Sequence, residues 1–94
     1  MELSERYIRT LESEGFASVY EWEDPAGTVY PEHSHKGKVS LYVTDGSVTF
    51  DFEGEKKEVK QNERFDVPVG AKHSAVVGPK GWIVIVGEEI DGDS

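Results

Sequence analysis

The 94-residue sequence predicts one all-β domain, built as a small barrel or sandwich, with one short helix in front of it. Turn-forming residues recur about every 8–12 residues between short apolar or alternating runs, which is typical of an all-β sandwich or barrel. Apolar side chains recur at helical spacing over residues 3–14, and no other segment repeats this pattern. We therefore expect residues 1–15 to form the helix, 16–87 the barrel and 88–94 a frayed acidic tail.

The predicted strands are separated by turns rich in Gly, Pro, Asp and Asn. Asp45-Gly46 lies between two alternating runs, which favours a tight hairpin, and residues 78–81 predict a last turn. The polar run 56–60 is typical of an exposed edge. We expect strands at residues 16–23, 28–35, 39–43, 48–52, 56–60, 64–67, 73–77 and 82–86.

The last predicted strand is apolar on both faces, which favours a strand that is covered on both sides. In a barrel this small, the outer face of a strand normally meets water. We therefore expect the helix or a second subunit to cover Ile83 and Ile85, and we predict a homodimer.

Composition excludes several classes of function. A formal net charge of −9 argues against binding to nucleic acid or to an anionic membrane surface. The absence of cysteine excludes disulfides, a thiol nucleophile and a zinc–thiolate site. The longest uncharged runs have seven residues, far fewer than the roughly 20 that span a bilayer. The first residues lack the basic and apolar regions of a signal peptide, so we expect a cytoplasmic protein.

Three histidines are the candidate metal ligands. His33 and His35 are two residues apart, so on an extended strand their side chains would point to the same face. His73 lies 38 residues after His35, in the segment Pro-x-Gly-x-x-His that begins at Pro68. Neutral imidazoles suit Zn, Cu, Fe and Ni. The alternative is a pair of surface histidines at the end of a strand.

Both histidine segments have the spacing of known motifs. From Gly27 to Gly46 the order is Gly, five residues, His-x-His, three residues, Val, six residues, Gly. From Asn62 to Val77 it is Asn, five residues, Pro-x-Gly-x-x-His, three residues, Val. Over residues 16–87 the sequence resembles the cupin superfamily, whose two motifs have these spacings. The resemblance implies a small jelly-roll barrel, or double-stranded β-helix, with a metal ion in its mouth.

The sequence departs from the family motifs at three positions. Val39 stands where the family has a metal-binding Glu, Asn62 where it has Gly, and Val77 where it has Asn. The resemblance then implies one divalent ion (Fe, Mn, Ni or Zn) on His33, His35 and His73. Three neutral ligands leave the full charge on the ion, which favours an anionic ligand or hydroxide and resembles the histidine-only catalytic zinc sites. Alternatively, the loss of the Glu weakens or abolishes metal binding.

Two functions remain open. The resemblance implies a metal-dependent oxygenase, isomerase or lyase that acts on a small anionic or oxygen-rich molecule. The alternative is a non-enzymatic sensor or carrier, which is favoured by the lack of a predicted inward carboxylate, since Glu21 and Glu32 have parities opposite to Trp22 and His33. The candidate pocket residues are Tyr20, Trp22, Val39 and Phe50, with Tyr30 beside them.

Overall fold

The computed structural model describes residues 3–90, and this part of the chain is a β structure with one helix at its N-terminal end. Met1 and Glu2 of the predicted helical region and residues 91–94 of the predicted tail lie outside the described residues. No described helix is long and apolar enough to cross a membrane. The elements are α1 (Leu3–Ser13), β1 (Ser18–Asp24), β2 (Val29–His33), β3 (Val39–Phe52), β4 (Glu55–Lys60), β5 (Arg64–Val67) and β6 (His73–Glu88).

Two long antiparallel strands, β3 and β6, form the centre of the fold. They pair from Val39 opposite Glu88 to Asp51 opposite Ser74. At one end, β1 pairs with β6 and β5 pairs with β3; at the other end, β2 pairs with β6 and β4 pairs with β3. The two long strands thus belong to two four-stranded layers, β1-β6-β3-β5 and β2-β6-β3-β4, as in a jelly-roll barrel.

The predicted hairpin at Asp45-Gly46 and the predicted turn at residues 78–81 are both wrong, because β3 and β6 continue through them. The β3–β6 register shifts on either side of Asp45 and Gly46, which marks an irregularity of the β-bulge kind. Gly46 has φ +74°, and a Cβ there would lie 1.9 Å from the carbonyl oxygen of Gly81. The two glycines therefore let the paired strands approach closely where they pass from one layer to the other.

The core lies between the two layers. Along β3, buried apolar side chains stand at odd positions up to Val43 and at even positions from Val48. This change of parity follows from the irregularity between them, because an extra residue in a strand reverses which face its neighbours occupy. The buried cluster consists of Val39, Leu41, Val43, Val48, Phe50, Val59, Val67, Ala75, Val77, Trp82 and Val84.

Helix α1 packs on the outside of the layer that contains β1. Its Leu11 is fully buried, and so is Ile85 on the outer face of β6. Tyr7 stacks on Tyr42 of β3, with ring centroids 4.0 Å apart and an angle of 4° between the planes. The expected cover over Ile85 is therefore present within one chain, while Ile83 is only partly buried. The homodimer stays a prediction.

An arginine links the barrel to the end of the helix. The guanidinium of Arg64, on β5, donates two hydrogen bonds of 2.7 Å to the carboxylate of Glu14, one residue past α1. It also donates to the hydroxyl of Tyr42 at 3.0 Å. The hydrogen bonds from Arg64 lower the pKa of Glu14. This contact fixes the position of α1 on the outer face of the barrel.

Candidate metal centre

The three histidines lie where β2 ends and β6 begins. His33 is the last residue of β2 and is paired with His73, the first residue of β6. His35 lies beyond the strand, so the prediction of one strand over residues 28–35 is wrong for its last two residues. The carbonyl oxygen of His35 accepts a hydrogen bond of 3.0 Å from the amide of Gly70. The turn that starts at Pro68 therefore holds the first histidine segment beside the second.

The imidazoles of His33, His35 and His73 converge. One potential ligand atom from each residue lies within 4.8 Å of the other two. Among the described residues, these three histidines form a group that could hold a metal ion. The ring centroids are 4.9 Å apart for His33 and His35, 4.5 Å for His33 and His73, and 5.2 Å for His35 and His73. His73 is 1% exposed and His35 8%, whereas His33 is partly exposed.

Backbone carbonyls set the tautomers of two of these rings. Nδ1 of His33 lies 2.7 Å from the carbonyl oxygen of Pro31, and Nδ1 of His73 lies 3.0 Å from that of Ala71. Because a carbonyl oxygen can only accept, each Nδ1 carries a proton and donates it, which leaves the Nε2 lone pair for a metal ion. Burial lowers the pKa of His73, which favours the neutral form that binds metal. The three residues thus fit a divalent ion.

The histidines form part of the wall of a cavity of about 580 Å³ between the two layers. This volume is within the usual range for small-molecule sites. The side chains named from the sequence as a candidate pocket, Tyr20, Trp22, Val39 and Phe50, all line it, as does Tyr30. Trp22 is 52% exposed and therefore lies at the rim.

Solved structures share this arrangement of strands. An RmlC-like cupin from Shewanella frigidimarina superposes with a TM-score of 0.66 at 24% identity, over 79% of this chain and 67% of that one. This chain therefore has the cupin fold. The polyketide cyclase RemF from Streptomyces resistomycificus gives 0.64 at 26% identity, over 77% and 54% of the two chains. The DMSP lyase DddQ from Ruegeria pomeroyi gives 0.67 at 22% identity, over 81% and 39%.

The chain spans about two thirds of the RmlC-like cupin and smaller parts of the two enzymes. No protein-family model matches the sequence. No curated protein matches it either. The comparisons therefore identify the cupin fold, while substrate and reaction must be argued from the cavity itself.

A partly buried acceptor, Asp24, fixes the aromatic wall of the cavity. One carboxylate oxygen of Asp24 accepts hydrogen bonds from the hydroxyl of Tyr30, from Nε1 of Trp22 at 3.1 Å and from Nε1 of Trp82 at 2.8 Å. Burial, together with the bond to Asp24, raises the pKa of Tyr30 to about 12. Tyr30 is therefore a neutral hydrogen-bond donor at physiological pH, and the three rings are held as rigid walls.

Sequence reasoning missed one polar residue of the cavity, Glu88. We expected it to begin a frayed tail, but β6 extends through it, and its side chain lines the cavity at 5% exposure. The hydroxyl of Tyr20 donates to its Oε2 at 3.0 Å. Burial, followed by this hydrogen bond, raises the pKa of Tyr20, so the tyrosine remains protonated. Glu32 is exposed, as its parity predicts, and Glu21 is exposed as well.

The alternation along β6 contained the signal that would have found Glu88. Trp82, Val84 and Val86 all line the cavity, and Glu88 is the next residue of the same parity. The predicted strand ends at Val86, and Gly87 and an acidic segment follow it. The cupin cavity therefore does contain an inward carboxylate, contrary to the expectation from the sequence.

Proposed function

We propose that this cupin is an enzyme that holds one divalent metal ion on His33, His35 and His73 and acts on a small, oxygen-rich organic acid. The observation that carries the proposal is the convergence of three imidazoles on the wall of a cavity of about 580 Å³. A cavity of this size accommodates a small organic molecule rather than a polymer. When bound, the ion would supply Lewis-acid chemistry at a substrate oxygen.

The proposed metal ion would be the source of positive charge for an anionic substrate, since the charged side chain of the cavity wall is the acidic Glu88. No lysine or arginine is among the residues of the described chain that line the cavity. Three neutral imidazoles leave the full +2 charge on an ion that they hold. An acid that enters the cavity would therefore find its counter-charge at the histidines, while apolar residues such as Leu41, Val84 and Phe50 keep water away from it.

Two features favour an enzyme over a carrier. The similar barrels of RemF and DddQ bear the names of a cyclase and a lyase, so this fold is used by enzymes. The sequence argument for a carrier depended on the lack of an inward carboxylate, and Glu88 removes that argument. The reactions of those two proteins are not transferred to this chain, because one fold hosts many chemistries.

Small dicarboxylates are expected to stabilise the metal-loaded protein much more than the chelator-treated protein. Malonate, malate and 2-oxoglutarate are suitable probes, and the measurement is the thermal midpoint of unfolding. A ligand at about 100 times its dissociation constant stabilises the native state by about 2.7 kcal/mol. In a domain of this size, such a stabilisation raises the midpoint by roughly 10–20 °C.

Malonamide is the matched neutral control for malonate, because it has the same shape without the charges. It is expected to leave the midpoint of the metal-loaded protein almost unchanged. An equal shift for malonate and malonamide, or an equal shift in the His33→Ala variant, would refute the proposed binding mode. Acids that bind are then incubated with the loaded protein and followed by NMR; binding without any chemical change would refute the enzymatic part.

A further inference from the structure

We infer that Glu88 is the acidic residue of the metal centre and supplies, from β6, the carboxylate that position 39 on β3 lacks. The inference rests on the proposed three-histidine site and assigns it a fourth participant. It starts from the pairing of the two long strands, in which Val39 is directly opposite Glu88.

The position of Glu88 follows from that register. Side chains directly opposite each other in an antiparallel pair lie on the same face, with Cβ atoms about 4.5–5.5 Å apart. Val39 and Glu88 accordingly both line the cavity that contains the histidines. Val39 is also only four residues beyond His35. The carboxylate of residue 88 therefore lies on the strand next to position 39 and faces the same cavity.

A cation in the cavity would stabilise the buried carboxylate of Glu88. A carboxylate buried in an apolar cavity is costly unless charge or hydrogen bonds compensate it. The hydroxyl of Tyr20 supplies one such bond, at 3.0 Å. A divalent ion on three neutral histidines would supply charge of the opposite sign in the same cavity, and the electrostatic gain is larger there than in water.

In the conformation observed, the carboxylate of Glu88 is hydrogen-bonded to Tyr20 and lies apart from the histidines. Tyr20 is on β1, which pairs with β6 on the side opposite to β3. The group whose potential ligand atoms lie within 4.8 Å of one another contains the three histidines and not Glu88. The three torsions of the Glu88 side chain can carry its carboxylate away from Tyr20 and towards Val39. Tyr20 then competes with the metal ion for Glu88.

The test measures the binding of metal alone. Chelator-treated protein is titrated with Mn²⁺ and with Zn²⁺ by calorimetry, for the wild type, Glu88→Gln and Glu89→Gln. Glu88→Gln preserves shape and removes the charge, and it is expected to bind at least about tenfold more weakly, the lower end of the effect of residues that support a metal site. The exposed neighbour Glu89, whose Oε1 accepts from the amide of Lys38, is the control for a general charge effect and should change affinity less than twofold.

Two further variants test where the carboxylate acts. Val39→Glu in the Glu88→Gln background is expected to recover most of the lost affinity, because it returns the carboxylate to the neighbouring strand. Tyr20→Phe in the otherwise unchanged chain is expected to bind metal at least as tightly as the wild type, because the competing hydrogen bond is gone. Weaker binding in Tyr20→Phe would contradict the competition between Tyr20 and the ion.

The outcomes separate this inference from the proposed function. If the wild type binds metal, His33→Ala does not, and Glu88→Gln binds within twofold of the wild type, the three-histidine site stands and the role of Glu88 is refuted. Equal losses in Glu88→Gln and Glu89→Gln would also refute it, because the effect would then be long-range charge. If the wild type binds no metal, the proposed function itself fails.

Discussion

Replacement of His73 by alanine is expected to weaken metal binding at least about 100-fold while the barrel stays folded. Removal of a residue that only supports a ligand typically costs 10–100-fold in affinity, so the loss of a ligand should cost no less. His73 is paired with His33 across the strands, and the centroids of their rings lie 4.5 Å apart. The measurement is a calorimetric titration with Zn²⁺ after chelator treatment.

The control for this experiment must separate lost ligation from lost packing, because His73 is 1% exposed and its ring packs beside Phe52 with a centroid distance of 5.2 Å. Val67→Ala removes a similarly buried side chain from the same cavity and should lower stability without lowering metal affinity. His33→Ala, at a more exposed position, should lose metal at a smaller cost in stability. Full metal binding by a folded His73→Ala protein would remove His73 from the site.

Replacement of Gly46 by alanine is expected to lower the free energy of unfolding by about 3 kcal/mol. A left-handed backbone costs a residue with a Cβ roughly 1–2 kcal/mol, and Gly46 has φ +74°. The new Cβ would also meet the carbonyl oxygen of Gly81 at 1.9 Å, and overpacking of this kind adds roughly 1–3 kcal/mol because the backbone must move. Thermal unfolding should show a midpoint lower by roughly 12–24 °C.

Gly54→Ala is the matched control, since Gly54 also has positive φ (+97°) but a Cβ there would have no neighbour within 4 Å. It should cost only the backbone strain, about 1 kcal/mol, and lower the midpoint by roughly 4–8 °C. Equal midpoints for the two variants would show that the close approach of Gly46 and Gly81 does not restrict the fold.

The candidate site was largely predictable because its residues lie at turns whose local chemistry is specific. Pro68 and Gly70 define a turn that delivers His73 to the start of a strand, and the amide of Gly70 binds the carbonyl of His35. The spacing of the two motifs, together with the family resemblance that it carries, therefore indicated which histidines would meet. The position of His35 beyond the strand was not predictable, because it depends on where the pairing partner, β6, begins.

The sequence could not predict that β3 and β6 continue through their glycine-containing segments, because the same residues are compatible with a hairpin turn and with a β-bulge. Asp45-Gly46 offers a left-handed glycine that suits either a tight hairpin or a bulge. The choice is made by β6, whose own Gly81 lies against Gly46, and that contact joins residues far apart in the chain. Glu88 differs from these cases, because the alternation along β6 was sufficient to predict that its side chain faces the cavity. It was missed because the predicted strand ended at Val86.

The most direct test of a metal-dependent cupin is the metal content of the untagged, purified protein, measured by elemental mass spectrometry beside a chelator-treated sample. The structure predicts about one equivalent of a divalent transition metal per chain, lost on chelation and recovered on reconstitution. A redox metal such as iron would direct the search to oxygen chemistry, and zinc to hydrolytic or lyase chemistry. The absence of metal both before and after reconstitution would contradict the three-histidine centre and the function built on it.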